Sequence, residues 1–86
     1  MLTEDVAVQI ERDLLKALDV LKVEKGWTDA QWGDEAFKDE KSGRRKIQNL
    51  KHGLIRLRVG DFVKLSNALG AQTSRIFDKA LDGNGL

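Results

Sequence analysis

The residues best suited to chemistry lie in the stretch 41–58. This stretch holds seven Lys or Arg residues and the only histidine, and it has no Asp or Glu. Ile47 and Leu50 are three residues apart, so a helix here would bury them along one narrow side. The opposite side would carry Arg45, Gln48, Asn49 and His52. Because Arg pairs with guanine edges and Asn or Gln with adenine edges in the major groove, this side could read DNA bases.

The patterns typical of catalysis and of metal binding are missing. The chain has no cysteine, and a serine nucleophile paired with His52 would have no third group to orient the histidine. No phosphate-binding glycine loop, zinc-ligand spacing or paired-carboxylate cleft is recognisable. The acidic pairs 34–35 and 39–40 are more typical of a solvated face than of a metal site. We therefore predict no enzyme, no catalytic residue, no metal and no cofactor.

The net charge of +1 conceals two halves of opposite sign. Residues 1–40 carry five basic and eleven acidic residues, a balance of −6, whereas residues 41–86 carry ten basic and three acidic residues, a balance of +7. This asymmetry indicates a basic surface for a polyanion, with the acidic half facing elsewhere. The alternative is an ordinary solvated surface whose charges happen to be segregated.

The elements that position the basic stretch are predicted to be helices, since proline is absent and β-branched alternation is scarce. The first helix runs from about Glu4 to Lys25, with Thr3 as N-cap and Gly26 after its end. Its buried stripe is Val6, Ile10, Leu14, Leu18 and Leu21. Off this stripe, Val8 and Leu15 share a second face, which is either scattered surface or, less often, a partner-facing seam.

Helix two is predicted over about 28–36, with Thr28 as N-cap, Gln31 as its capping-box partner and Trp27 and Trp32 as a hydrophobic staple. A glycine on its buried face, Gly33, suggests close approach of another backbone. The polar connector 37–41 carries one aromatic, Phe37, which we expect in the core. Helix three is predicted over about 43–52, with the Ser42 hydroxyl as its cap and Gly53 past its end.

Two further helices complete the chain. Helix four is predicted from about Val59 to Leu69, with one packing side formed by Val59, Phe62, Val63, Ser66 and Leu69. Helix five begins near Gln72 or Thr73 and is expected to bury Ile76, Phe77 and Leu81. Residues 1–82 are thus expected to form a single domain, and residues 83–86 a frayed tail. The predicted fold class is all-α, a compact five-helix domain.

The order and spacing of these helices resemble the Cro and phage-repressor type of helix-turn-helix domain, often called the XRE-like family. The resemblance covers the chain from about Leu14 to Phe77 and rests on short apolar patterns that are specific only in combination. The patterns are Leu18-x-x-Leu21-Lys-x-x-Lys25-Gly26-Trp27-Thr28, Trp32-Gly33, Ile47-x-x-Leu50-x-x-Gly53, Phe62-Val-Lys-Leu65-Ser-x-Ala68-Leu69-Gly70 and Ile76-Phe77. The resemblance implies a repressor-like helix-turn-helix fold whose third helix is the recognition helix.

The chain departs from the family pattern at two points. The connector 37–41 is about four residues longer than the family's usual tight turn with glycine, so the resemblance does not fix the angle of the recognition helix. The loop after this helix carries Leu54, Ile55 and Leu57, where the family commonly has polar residues or proline. These three residues are expected either to contact the core or to form part of a dimer interface.

By this resemblance, the start of helix three would contact base edges through Arg44, Arg45, Gln48 and Asn49. Arg44 lies on the flank of the helical wheel and could bind a phosphate instead. The start of helix two would meet the DNA backbone, where we favour Gln31 over Asp29, since a carboxylate repels phosphate unless it caps the helix. The full set of expected backbone contacts is Thr28, Gln31, Lys41, Ser42, Lys46, Lys51, His52, Arg56 and Arg58.

The resulting hypothesis is a cytoplasmic, sequence-specific regulator that binds double-stranded DNA, a repressor of phage, plasmid or mobile-element type acting as a homodimer. The cytoplasmic location follows from the lack of a targeting segment or of a membrane-spanning run of apolar residues. The alternative is an antitoxin or a protein-interaction module built on the same fold, with a toxin or another protein as partner. RNA binding is a remote third possibility, because no aromatic stacking surface is evident.

Overall fold

The computed structural model describes residues 3–85, and these residues form five α-helices joined by short connectors. The helices are α1 (Glu4–Glu24), α2 (Asp29–Ala36), α3 (Gly43–Lys51), α4 (Val59–Ala68) and α5 (Thr73–Gly83). The predicted all-α class and the order of five helices are confirmed. Met1, Leu2 and Leu86, which belong to the predicted domain and tail, lie outside the described residues.

The helix ends follow the capping chemistry at most of the predicted positions. The Thr3 hydroxyl accepts a hydrogen bond from the Val6 amide at 3.2 Å. Thr28 and Gln31 form the predicted capping box, in which the Thr28 hydroxyl accepts from the Gln31 amide and the Gln31 side chain accepts from the Thr28 amide. Gly26 and Gly53 follow α1 and α3 with φ values of 79° and 72°, a region that favours glycine.

The core lies between α1 and the four shorter helices. Its completely buried side chains include Leu18, Trp32, Phe37 and Leu65, so the expectation that Phe37 enters the core is confirmed. The Trp32 indole Nε1 donates a hydrogen bond to the Leu65 carbonyl at 3.2 Å, which satisfies its one polar atom. Burial of these large apolar groups fixes α2 against α4 and gives α3 a firm support.

Gly33 and Gly43 bring α2 and the start of α3 into backbone contact. A Cβ atom built on Gly33 would overlap the carbonyl group of Gly43 and the amide of Arg44, and one built on Gly43 would overlap the backbone of Gly33. The prediction that Gly33 permits close approach of another backbone is confirmed. The contact positions the first turn of α3 although the connector, residues 37–42, is long.

Several predictions about burial are wrong. Leu15, assigned first to the surface, is only 8% exposed because its side of α1 faces the end of α3, and Leu65 is in the core although it was left out of the buried side of α4. Val59 is 81% exposed because it lies in the first turn of α4, before that helix reaches the core. Phe77 is 42% exposed because it lies at the border of the packed side of α5, where Ala80 is buried and Ile76 and Leu81 are partly buried.

The predicted frayed tail is partly ordered. Helix α5 extends to Gly83, and the Asn84 side chain donates hydrogen bonds to a carboxylate oxygen of Asp13 and to the Ala80 carbonyl, both at 2.8 Å. These bonds tie the end of α5 to α1. None of the helices in residues 3–85 has the length and apolar character needed to cross a membrane.

Candidate nucleic-acid interface

Helix α3 presents one apolar side to the core and a polar side to the exterior. Ile47 is completely buried and Leu50 nearly so, as their three-residue spacing predicts. Arg45, Gln48 and His52 are exposed, and Asn49 is half-buried. These four residues form one line along the helix, which we call the outward stripe; Arg44 is exposed beside it.

The two arginines at the start of α3 have no acidic partner. Within residues 3–85, neither Arg44 nor Arg45 makes an ion pair, and the same is true of Lys41 and Arg58 on either side of the helix. An unpaired guanidinium has all five N–H donors available for a planar acceptor such as a guanine edge or a phosphate.

Open grooves lie on both sides of the outward stripe. One, of about 380 Å³, is lined by Thr28, Asp29 and Ala30 of α2 and by Arg44 and Gln48 of α3. The other, of about 390 Å³, lies toward the connector and is lined by Glu40, Lys41, Ser42, Arg45, Lys46, Asn49 and Ile55. The start of α2 and the connector thus flank the predicted base-contacting residues.

Lys46 lines the groove on the connector side, but its ammonium group is held by two carboxylates. Its ammonium group lies 2.9 Å from Glu40 and 3.0 Å from Asp61, and 4.6 Å from the centre of the Phe37 ring. Burial disfavours the charged form of Lys46, but the hydrogen bonds to both carboxylates outweigh it and raise the pKa. Lys46 therefore ties α3 to the connector and to α4.

Lys51 belongs to a cluster of two lysines and two aspartates that joins three helices, which we call the four-residue ion cluster. The Lys51 ammonium lies 2.7 Å from Asp19 and 3.0 Å from Asp29, and the Lys22 ammonium lies 2.7 Å from each of the same carboxylates. Asp19 and Lys22 belong to α1, Asp29 begins α2 and Lys51 ends α3. The cluster has no net charge, and it fixes the end of α3 to the start of α2.

The pKa values in this cluster show that attraction dominates. Burial alone would raise the pKa of the Asp19 and Asp29 carboxyls, yet the hydrogen bonds from Lys22 and Lys51 outweigh it and lower both pKa values. Burial likewise opposes the charge on Lys22, whose pKa is nevertheless raised by its bonds to the two aspartates. Asp29 would repel phosphate if it were unpaired, but here two ammonium groups compensate its charge.

Arg56 fastens the loop between α3 and α4 to α1. Its guanidinium makes two hydrogen bonds to the Glu11 carboxylate and one, of 2.9 Å, to Glu4, and Glu11 also accepts from the Leu57 amide at 3.0 Å. The bonds from Arg56 lower the pKa of Glu11, and those from Glu11 raise the pKa of Arg56. Leu57 packs against the core, whereas Leu54 and Ile55 do not.

Although the stretch 41–58 has no Asp or Glu of its own, Lys46, Lys51 and Arg56, which we expected to contact the DNA backbone, are paired with carboxylates. Their partners lie outside the stretch, in α1, at the start of α2, in the connector and in α4: Glu4, Glu11, Asp19, Asp29, Glu40 and Asp61. A local charge count cannot reveal pairs made across the fold. Within the four-residue ion cluster, the pair of Asp19 and Lys22 is the one at a helical spacing that the sequence could have suggested.

Ser42 also differs from its prediction, because its hydroxyl makes no capping hydrogen bond. Thr3 and Thr28 have ψ values of 165° and 167°, the extended conformation that directs a hydroxyl onto the helix end, whereas Ser42 has a ψ of 80°. The Ser42 hydroxyl is thus available to a ligand. In the capping box, Gln31 uses its carbonyl oxygen, so its amide NH₂ group can still donate.

No family model, no curated protein and no solved structure matches the chain. The resemblance to the XRE-like family is therefore an expectation from the sequence patterns alone. Within residues 3–85, no group of three or more His, Asp or Glu residues is arranged to hold a metal ion.

Proposed function

We propose that this protein is a sequence-specific regulator that binds double-stranded DNA through the outward stripe of α3, and that it represses transcription as a homodimer. The observation that carries the proposal is the contrast in charge pairing along α3. Arg44 and Arg45 are exposed and make no ion pair in residues 3–85, while Lys46 and Lys51 are engaged in the scaffold. Unpaired arginines beside exposed amide side chains are typical of a surface that binds a polyanion.

Base recognition would come from the first two turns of α3. Arg45 is suited to a bidentate contact with guanine, and Gln48 and Asn49 are suited to adenine. Each good pair discriminates against the wrong base by roughly 1–3 kcal/mol. Arg44 faces the groove beside Thr28 and Ala30, so it would contact either a base at the groove edge or the nearest phosphate. The burial of Ile47 and the contact between Gly33 and Gly43 would hold these side chains at a fixed depth.

Backbone contacts would come from the groups that stay available around the stripe. These are the Thr28 hydroxyl, the Gln31 amide, the Ser42 hydroxyl and the side chains of Lys41, His52 and Arg58. Lys46, Lys51 and Arg56 would contribute by positioning the helix and not by binding phosphate. The neutral four-residue ion cluster would let a phosphate approach the start of α2 despite Asp29.

Selection from a random duplex pool, followed by titration at rising salt, tests the proposal. Recovered sequences should share a motif with two-fold symmetry whose half-sites lie about one helical turn, ~34 Å, apart. Replacing Arg45 with Ala should weaken binding to that motif by roughly 5- to 150-fold, the equivalent of 1–3 kcal/mol, and relax the base preference at one position. Binding that ignores salt, or that survives Arg45→Ala, would reject the proposal.

Lys46→Gln and Lys41→Gln form a matched pair of controls. Both remove one positive charge near the start of α3, but only Lys46 is engaged with Glu40 and Asp61. Since the slope of log K against log salt changes by about 0.9 for each phosphate contact, Lys41→Gln should flatten it by that amount. Lys46→Gln should leave the slope unchanged and lower stability instead. Equal slopes for both variants would contradict the division into binding and scaffold cations.

A second candidate function is a protein-interaction module, such as an antitoxin, built on the same helices. It is favoured by the exposed apolar side chains after α3 and at the start of α4, where Leu54 is 70% exposed, Ile55 40% and Val59 81%. Such side chains rarely gather on a surface without a partner. A stable complex with another protein, together with no duplex binding at low salt, would establish this candidate over the first.

A further inference from the structure

A groove of about 360 Å³ runs between α1 and the end of α3, and its rim is basic. Arg12 and Lys16 of α1 stand on one side and His52 on the other. Leu15 and Leu50 form the floor and are nearly buried, so the rim residues project from a firm base. Arg12 and Lys16 belong to the acidic half of the sequence, so a charge count along the chain does not indicate a basic site here.

The charges of this groove are not balanced within the protein. Arg12 and Lys16 make no ion pair in residues 3–85. The one carboxylate in the lining, Asp19, already lies 2.7 Å from both Lys22 and Lys51. The groove therefore offers two free cations and an imidazole, with no free anion, which is the charge pattern of a site for a polyanion.

The groove is continuous with the outward stripe of α3. His52 lies seven residues after Arg45, which is two helical turns along the same line of the helix and about 10 Å along its axis. A helix that enters the major groove with Arg45 at base level would carry His52 toward the edge of that groove, about 12 Å wide, where a phosphate backbone runs. Arg12 and Lys16 stand just beyond this point.

We infer that Arg12 and Lys16 bind the phosphate backbone of the duplex at the end of α3, so that α1 contributes a second set of backbone contacts. This inference rests on the proposed function and extends the same surface by one element. The start of α2 and the connector would meet the duplex beside Arg44 and Arg45, and α1 would meet it past His52. The contacts fix how deeply and at what angle α3 lies, and they carry no base preference.

The test is a salt titration of Arg12→Gln/Lys16→Gln on the selected duplex and on an unrelated one. Loss of two phosphate contacts should flatten the slope of log K against log salt by about 1.8 on both duplexes, since each contact contributes about 0.9. The ratio of affinities for the two duplexes should not change. Phosphate ethylation interference on the selected duplex should lose one or two positions in each half-site.

The matched control is Arg75→Gln/Lys79→Gln, which removes the same two charge types at the same spacing from α5. These two residues line a different groove, between α5 and the opposite side of α1. All four side chains are exposed, so each double variant should unfold at the wild-type temperature. Equal flattening in both double variants would mean a general effect of net charge and would overturn the inference.

Two further outcomes separate this inference from the function on which it rests. Duplex binding that requires Arg45 but ignores Arg12→Gln/Lys16→Gln overturns the inference and leaves the proposed function intact. A wild-type protein that binds no duplex overturns both.

A fluorescent peptide of alternating Glu and Leu serves as a probe for an acidic protein partner. If only this peptide loses affinity in the double variant, the groove belongs to a protein ligand and not to DNA.

Discussion

Helix α3 carries two pairs of cations, Arg44 with Arg45 and Lys46 with Lys51, and the fold uses the two pairs differently. Arg44 and Arg45 have no acidic partner in residues 3–85, whereas Lys46 and Lys51 each lie within 3.0 Å of two carboxylates. The paired lysines adjoin the buried Ile47 and Leu50, so their side chains reach neighbouring helices. Whether carboxylates of other elements lie within reach decides whether a cation of α3 supports the fold or is available to a ligand.

The largest expected effect on stability comes from breaking the backbone contact between α2 and α3, which supports both pairs of cations. Gly33→Ala would force a Cβ atom into the backbone of Gly43. Because the contact is with backbone and not with a flexible side chain, α3 must shift away from α2. We expect a loss of about 3 kcal/mol in the free energy of unfolding, near the upper end for overpacking. Urea denaturation measures this loss, and the melting temperature should fall by roughly 12 °C or more.

Gly60→Ala is the matched control, since a Cβ atom on this glycine of α4 would meet nothing within 4 Å. It should stabilise the protein by up to about 1 kcal/mol, because alanine is the better helix former. Two variants that differ only in position should thus change stability in opposite directions. If Gly33→Ala is as stable as wild type, the close approach of α2 and α3 is not needed for the fold.

The second prediction concerns the four-residue ion cluster, where burial differs between the two lysines. The Lys22 side chain is 9% exposed and that of Lys51 28%. Removing one member of a buried pair leaves uncompensated charge, which costs several kcal/mol in a dry interior and less where solvent reaches the partners. Lys22→Met should therefore cost about 2 kcal/mol and Lys51→Met about 1 kcal/mol in urea denaturation. The reverse order would show that solvent access does not govern this cluster.

The burial and exposure of the side chains of α3 could be predicted from the sequence, but their ion pairs could not. The spacing of Ile47 and Leu50 correctly predicted which side of α3 is buried. The helix ends were predicted correctly from Thr28 with Gln31 and from Gly26 and Gly53, and the close contact of α2 with α3 from Gly33. These signals are local, because each depends on residues within one or two turns. The helical pattern likewise predicted that Arg45 and Gln48 would be exposed.

The pairing of charges was not predictable in the same way. Arg56 is separated by 45 residues from Glu11, and Lys51 by 32 residues from Asp19, so no window along the chain contains both partners. The burial of α5 was misjudged for a related reason. Phe77 satisfies the apolar pattern of its helix, but only the position of α5 against α1 and α4 decides that Ala80 is the residue that faces inward.

A third prediction uses the acid dependence of the same ion cluster. The pKa values of Asp19 and Asp29 are lowered from the ordinary 3.8, so the unfolded chain takes up protons first as the pH falls. Their contribution to stability is complete above pH 3.8 and is lost as the pH falls through the lower native pKa values. Asp29→Asn should reduce this acid dependence, by roughly 1 kcal/mol or less because the carboxylates are partly exposed. Asp34→Asn, at an exposed position of α2, should leave it unchanged.

The smallest expected effect on stability comes from removing the two arginines, and it gives the clearest contrast between the two pairs of cations. Arg44→Gln/Arg45→Gln removes two charges that are exposed and unpaired within residues 3–85, so the free energy of unfolding should change by no more than about 0.5 kcal/mol. Lys46→Gln/Lys51→Gln removes the same number of charges from the same helix and should lower stability clearly, because it strands Glu40 and Asp61 and leaves Asp19 and Asp29 with Lys22 alone. Comparable losses in both double variants would mean that Arg44 and Arg45 also support the fold. Side chains whose removal leaves the fold intact are the ones free to engage a ligand. The two unfolding curves therefore decide whether Arg44 and Arg45 are free in this sense, without any DNA in the sample.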